Sequence, residues 1–316
     1  MLLGILTAVL AGILWTVFAA ILSHTARRQI DIVALMALSA VTTLGLAWAV
    51  LVDYPALAEA APQRLGQMSA LVIVSGVLNS MGALLVQKAM RFGHHGMVWT
   101  MSQSGFILPF LTGVVLFSEP AAPVRLAGVG AILASVVCFG VVHSGRGGAP
   151  AAGAPASADP AGPAQAGPAD PPTRSWFALA VLALVALGLV QALATVPSYW
   201  KGWTDRGHLR VPIYYIGVAG GFVGAMLLRK RRLSWRIVPW ALVVSVNALF
   251  SVTLIFKSMD CMAPARMISM TYPIAVGTCM AAFAAYSLFV LREAVRPLYI
   301  VGLLLSIGGV VLAALR

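Results

Sequence analysis

Charge is what this chain has least of. Of its 316 residues only 9% are Asp, Glu, Lys or Arg, and nine are acidic. A water-soluble domain carries roughly 25% charge, so a large hydrated surface is excluded. Cysteine is scarce as well: Cys138, Cys261 and Cys279 stand apart, with no CxxC pair and no His-rich spacing. Neither a disulfide framework nor a metal site follows from that pattern, and the three read as small packing residues. The P-loop pattern GxxxxGK[ST] is missing, which excludes an ATP-driven pump within this chain. No cofactor is expected.

What is present is hydrophobic: 60% of the residues. Ten apolar runs stand out, at roughly 2–23, 32–52, 69–87, 97–118, 124–143, 176–196, 211–228, 237–256, 265–290 and 297–315. A run of about 20 residues spans about 30 Å of hydrocarbon as a helix. Lipid leaves backbone groups no other partner, so helices are the expected form. The runs are too long and too uniform for the alternating strands of an outer-membrane barrel. The expectation is an all-α polytopic membrane protein with ten transmembrane helices. The first run precedes its positive charge (Arg27, Arg28), the reverse of a cleaved signal, and reads as a retained span.

The net charge of +12 invites a nucleic-acid reading. Its distribution points to a bilayer instead. Thirteen basic residues fall after odd-numbered runs: Arg27, Arg28, Lys88, Arg91, Arg146, Arg174, Arg229, Lys230, Arg231, Arg232, Arg236, Arg292 and Arg296. Eight fall on the other side, among them Arg64, Arg125, Arg206, Arg210, Lys257 and Arg266. The positive-inside rule places the larger set in the cytoplasm and both termini outside the inner membrane. The run Arg229–Arg232 would anchor at anionic lipid.

Residues 144–174 are nearly all Gly, Ala, Pro, Ser and Asp, a composition that cannot offset chain entropy and reads as a disordered linker. It separates a first unit, 1–143, from a second, 175–316. Five runs precede it and five follow. Because five is odd, the second unit enters the membrane from the opposite side, giving an inverted repeat. The residues repeat too. Lys88-Ala89-Met90 leads to a run with Pro109, then Glu119-x-x-x-Pro123-x-x-x-x-Gly128; Lys257-Ser258-Met259 leads to Pro273, then Glu293-x-x-x-Pro297-x-x-x-x-Gly302. Glu119 and Glu293 are expected to complement the positive ends of the helices that follow them. Pro123 and Pro297 suit a first turn. Gly128, Gly130 and Gly140, like Gly302, Gly308 and Gly309, suit close helix packing. The fifth and tenth runs therefore read as packing elements rather than as the site.

Two five-helix units with these Pro, Glu and Gly positions resemble the drug/metabolite transporter superfamily, in particular its EamA-type ten-helix branch. The resemblance implies alternating-access transport of a small organic solute. It also implies a cavity lined by the first, third and fourth helices of each unit. The small multidrug members of that superfamily carry a glutamate in the first helix; here Leu2–Ser23 holds no carboxylate.

No acidic residue falls in the middle of a run, which argues against a buried proton-carrying carboxylate and against a cationic substrate. Polar residues one helical turn apart occur in the third run (Ser75, Asn79) and the eighth (Asn247, Ser251), where they face a cavity or a partner helix. In the fourth run Gly96, Thr100 and Gln103 form a stripe. It matches Ala265, Ser269 and Tyr272 in the ninth. Prolines follow both stripes, each freeing a carbonyl four residues back, Gly105 for Pro109 and Ser269 for Pro273. Broken helices of this kind are a recurrent transporter site design. The substrate-binding candidates are Asn79, Trp99, Thr100, Gln103, Asn247, Ser251, Arg266, Ser269 and Tyr272. Trp15, Trp48, Gln191 and Tyr199 are further cavity or gate candidates, and Tyr286 a further aromatic wall. Trp200, Trp203, Tyr214 and Tyr215 read as an aromatic belt. His94 and His95 read as part of a turn.

The functional expectation is a secondary active transporter or exchanger. It would move an amino acid, a sugar or a related polar metabolite by rocking its two halves about a central cavity. The coupling partner is a proton or a counter-substrate, and no nucleic acid is involved. A polytopic membrane transferase would need a compact Asp, His or Cys constellation, and Asp31, Asp53 and the histidines are dispersed. A non-transporting scaffold or sensor would normally carry an ordered soluble domain.

Overall fold

The computed structural model describes residues 1–27, 30–58, 62–90, 95–144, 174–200, 203, 206–289 and 297–315. The linker over 144–174 lies almost wholly outside the described residues, as do Glu293, Arg292, Arg296 and His94. Every regular element among the described residues is helical. In chain order they are α1 (Leu2–Arg27), α2 (Ile32–Val50), α3 (Tyr54–Ala58), α4 (Pro62–Met90), α5 (His95–Gln103) and α6 (Ile107–Leu111). After them come α7 (Pro123–Ser144), α8 (Arg174–Thr195), α9 (Gly207–Leu228), α10 (Val238–Met262), α11 (Thr271–Phe289) and α12 (Pro297–Ala314). Six helices are long and apolar enough to cross a bilayer: those covering Leu2–Ile21, Ile32–Val50, Gln63–Ala89, Phe177–Tyr199, His208–Leu228 and Trp235–Ala265. Four shorter apolar stretches, Met101–Leu116, Pro123–Cys138, Ile268–Phe283 and Ile300–Ala314, complete the bundle. The chain is a membrane-embedded helical protein.

The short stretches are short for visible reasons. A tight 3-10 turn, Ser104–Phe106, interrupts the chain before α6, and a widened π turn, Thr112–Leu116, follows it. Two more 3-10 turns, Ala263–Ala265 and Ile268–Met270, separate α10 from α11. The interruptions expected at the prolines are therefore present. The two prolines are not equivalent, however. Pro109 sits inside α6, whereas Pro273 falls in the first turn of α11, where a missing N–H costs little. Pro123 and Pro297 each open a helix, as expected.

The helices of the two units interleave. α1 runs antiparallel to α10: Gly4 faces Ser258–Met262, and Asn247 donates to the Leu14 carbonyl at 3.1 Å. α4 runs antiparallel to α8 in the same way, with Gly82 against Leu187 and the Ser75 hydroxyl on the Val190 carbonyl at 2.8 Å. α1 also runs alongside α11, and α8 alongside the Gly105–Leu108 stretch. α2 pairs with α10, and α4 with α9. α11 packs on α12 and α5 on α7, while α7 and α12 pack antiparallel with Gly128 against Gly309. Each of these pairings has a counterpart in which the units exchange roles. Small residues at the crossings let backbones approach, which in lipid replaces the missing hydrophobic drive between helices. Among the described glycines the closest backbone contact joins α4 to α9: a Cβ on Gly217 would lie 2.1 Å from the Ile73 carbonyl oxygen.

Candidate functional site

Between the two units lies a cavity of about 90 Å³, lined by residues of α1, α4, α8, α9, α10 and α11. Trp15, Tyr214, Phe256 and Tyr272 supply its aromatic wall, Asn79 and Gln191 its amides, and Val190, Val252 and Ile255 part of its aliphatic wall. Trp15 and Tyr272 stack across it, ring centroids 6.3 Å apart and planes within 19°. Tyr214 meets Phe256 edge-on at 6.5 Å. The Gln191 carbonyl oxygen is buried with no hydrogen-bond partner. An unpaired amide oxygen in an apolar setting costs roughly 1–3 kcal/mol, and a ligand donor would recover it.

One helical turn from the cavity residues Tyr214 on α9 and Phe256 on α10 lies an ion pair that no local sequence pattern marks. Arg210 of α9 donates to the Asp260 carboxylate of α10 and to the Ser198 hydroxyl, just beyond α8. Arg210 is completely buried and Asp260 nearly so. The guanidinium also lies over the Phe256 ring, 4.8 Å from its centroid. The seventh apolar run, 211–228, begins just after Arg210, and the eighth, 237–256, ends before Asp260. The helices in fact continue through both charges, because each neutralises the other. The expectation that no carboxylate is buried in a span is thereby corrected.

Beyond this pair the units are clamped together. Glu119 does not complement the start of α7, as its position led us to expect. Its buried carboxylate accepts from the Ile268 amide at 2.8 Å, from the Ser269 amide at 3.2 Å and from the Ser269 hydroxyl. It thus caps the approach to α11 in the other unit. Arg266 is exposed and donates to the Ser118 carbonyl at 2.9 Å. Both Ser118 and Arg266 adopt left-handed backbone, φ 50° and 52°, a conformation non-glycine residues hold only where the surroundings impose it. Phe117 and Tyr199 stack face to face at 3.8 Å.

Of the candidates named from sequence, Asn79 and Tyr272 line the cavity, together with Trp15 and Gln191. The others serve elsewhere. Asn247 is spent on the Leu14 carbonyl and Ser251 on the Ala248 carbonyl of its own helix. Ser269 and Arg266 belong to the clamp. Trp99 packs beside Val98 and Ala180 with its indole nitrogen buried and unpartnered. Gln103 is half-buried at the end of α5, away from the cavity lining. Thr100 lies on α5, its side chain outside the described residues. Tyr199 belongs to the stack, and Trp48 is not in the lining. The expected aromatic belt is corrected too: Trp203, Tyr214 and Tyr215 are buried, and Tyr214 faces the cavity. Tyr214 lies one turn along α9 from Arg210, but that signal reads equally as interfacial decoration.

A larger hollow of about 300 Å³ is lined by Thr16, Val17, Ala20 and Ile21 of α1, Trp240 of α10 and Tyr286 of α11. The Thr16 hydroxyl is already shared between the Gly12 and Cys279 carbonyls, both at 3.2 Å. The lining of this hollow is mainly apolar, whereas the amides of Asn79 and Gln191 line the smaller cavity.

No family model and no curated protein matches the sequence. Eleven solved chains match the structure. One crystal structure superposes with a TM-score of 0.63 over 98% of this chain and 97% of its own, at 16% identity. That likeness concerns the fold alone.

Proposed function

We propose that this chain is a secondary transporter of the drug/metabolite, EamA-like type, moving a small polar metabolite across the inner membrane. Ten crossings in two inverted five-helix units are the architecture this reading requires. The exchange of packing partners between the units supports it, as does the opposed course of α1 and α10, mirrored by α8 and α4. The single observation that carries the function is the central cavity. It combines aromatic walls with an unsatisfied buried amide oxygen, and lies where the units meet. Sites of this kind, apolar with a few convergent polar groups, are where small ligands bind.

The clamp of Glu119, Ser269, Arg266 and Ser118 closes one end, which the positive-inside rule assigns to the outer face. The hollow beside Trp240 and Tyr286 leads to the other. Alternating access then consists of breaking this clamp while the opposite end closes. The moving bodies draw helices from both units, since α1 and α8 each pack chiefly on the other unit. Rigid rocking of 1–143 against 175–316 would tear those seams.

Uptake into proteoliposomes from a mixed metabolite pool tests the reading. Gln191→Ala and Tyr272→Ala are expected to cut flux at least tenfold, with Gln103→Ala near wild type. Equal flux in all three removes the cavity as the site, and no flux of any solute removes the transporter.

A further inference from the structure

The transport mechanism outlined above makes no use of Arg210 and Asp260. A buried charged pair in a membrane helix bundle is costly to desolvate, and intramembrane ionisable residues mark substrate and proton pathways. Three observations tie this pair to the cavity. Phe256, whose ring face carries the Arg210 guanidinium, is a cavity wall. Ser198, the second partner of Arg210, lies one turn beyond the cavity residue Ala194. Tyr214, one turn along α9 from Arg210, lines the cavity as well. The Arg210 Nε is also a buried donor with no acceptor. A guanidinium is a permanent cation with more donors than one carboxylate consumes.

We infer that Arg210 is the anchor for the carboxylate of a small organic monoanion, and that Asp260 takes up one proton as that anion binds. This inference rests on the transporter reading. The charge balance dictates the stoichiometry. In the structure Arg210 and Asp260 sum to zero. Admitting a monoanion to Arg210 would leave a buried net charge of −1, unless Asp260 is protonated. With the proton taken from the water on the side of entry, the carboxylate becomes a neutral acid, Arg210 stays cationic and the sum remains zero. On release at the other face the proton leaves with the anion, and the Arg210–Asp260 bond re-forms. One proton thus crosses with each anion, and the cycle is electroneutral. Arg210 offers a single positive charge beside the cavity, which suits a monoanion.

Other titratable or charged groups lie on the elements that carry the pair and on those packed against them. Arg206 immediately precedes α9, which itself carries His208, Tyr214 and Tyr215. Tyr199 lies beyond α8, Lys257 on α10 and Tyr272 on α11. The Met1 amine starts α1, Asp53 follows α2, and Arg64 lies near the start of α4. Arg206 and Arg64 are engaged with Trp203 and Trp200, at 5.7 and 5.3 Å from the ring centroids. Lys257 is exposed. His208, with a buried unpartnered Nε2, is the rival proton acceptor.

The test uses the full chain in proteoliposomes containing a trapped pH dye at neutral pH, with protein-free vesicles as baseline. The probes are acetate, propionate and lactate, with glycerol as neutral and alanine as zwitterionic size controls. Wild-type vesicles should acidify at least tenfold faster than baseline with a monocarboxylate, and not with glycerol or alanine. Asp260→Asn mimics the protonated acid. It should lose the acidification yet keep exchange of radiolabelled monocarboxylate, and His208→Gln should behave as wild type. Arg210→Gln combined with Asp260→Asn keeps the buried charge at zero, so the double variant should fold, with an unchanged gel-filtration profile, and lose both activities. Monocarboxylate flux without acidification overturns the inference, as does acidification surviving in Asp260→Asn or vanishing in His208→Gln. Flux of glycerol or alanine but of no carboxylate also overturns it and leaves the transporter standing. No flux of any probe overturns the inference, and only the further absence of flux from the mixed metabolite pool removes the transporter as well.

Discussion

Single residues set how closely these helices approach. Gly217 sits so near Ile73 that a methyl group has no room, while Gly220, on the same helix, faces open space. Gly217→Ala is therefore expected to cost about 1–3 kcal/mol through overpacking. Gly220→Ala should be neutral or gain up to about 1 kcal/mol of helix propensity. Thermal unfolding in detergent separates the two, and equal shifts would contradict the close crossing of α4 and α9. Polar residues show the same dependence on neighbours. Ser75 and Asn79 lie one turn apart on α4, yet one is spent on the Val190 carbonyl and the other faces the cavity. Their spacing placed them on one face of the helix. Which neighbour each meets depends on α8, more than 100 residues away in the chain.

At the scale of elements, the clamp on α11 is the contact that the proposed transport cycle must break. The Glu119 carboxylate satisfies amides at the Ile268–Met270 turn that no helix partner reaches, and charge-assisted bonds of this kind are the stronger sort. Glu119→Ala strips these acceptors and should loosen the clamp. A Ser118→Cys reporter, in a background lacking Cys138, Cys261 and Cys279, is expected to react severalfold faster with an impermeant maleimide once Glu119 is replaced. An unchanged labelling rate would show that the clamp does not control opening. The repeated Glu was legible as a signal in the sequence, but its partner was not. A helix start four residues downstream is the nearest target along the chain, whereas the fold offers a nearer one in space, about 150 residues away.

For the molecule as a whole, the proposed orientation rests on the basic residues and the proposed inverted topology on the parity of crossings. A reporter that is active only outside the cytoplasm, fused after Arg316, is expected to be active; fused between Lys230 and Arg231 it should be silent. Activity in both fusions would break the alternation on which the inverted arrangement depends. The interleaving of units adds a consequence for dissection. Residues 1–143 expressed alone lose the surfaces that cover α1 and α4, and should aggregate in detergent unless 175–316 is supplied in trans. A stable, monodisperse half-protein would contradict that.

Composition by itself determined that this chain is helical and lies in lipid. Unpaired backbone groups cannot survive in hydrocarbon, and few other residues are present to do anything else. The order of apolar runs likewise located the helices; Pro123 and Pro297 marked two of their starts and Gly128 and Gly309 a close crossing, whereas Gly130 and Gly308, expected to pack closely as well, face open space. Only the tertiary structure decided what each polar group does, because that depends on what faces it. Arg210 and Asp260 read as loop charges until packing brought them together, and Gln191, a cavity or gate candidate in the sequence, is set apart from the other residues lining the cavity by its buried, unpartnered oxygen. A local pattern specifies a face of a helix; a neighbour distant in the chain determines whether that face becomes a seam, a clamp or a site.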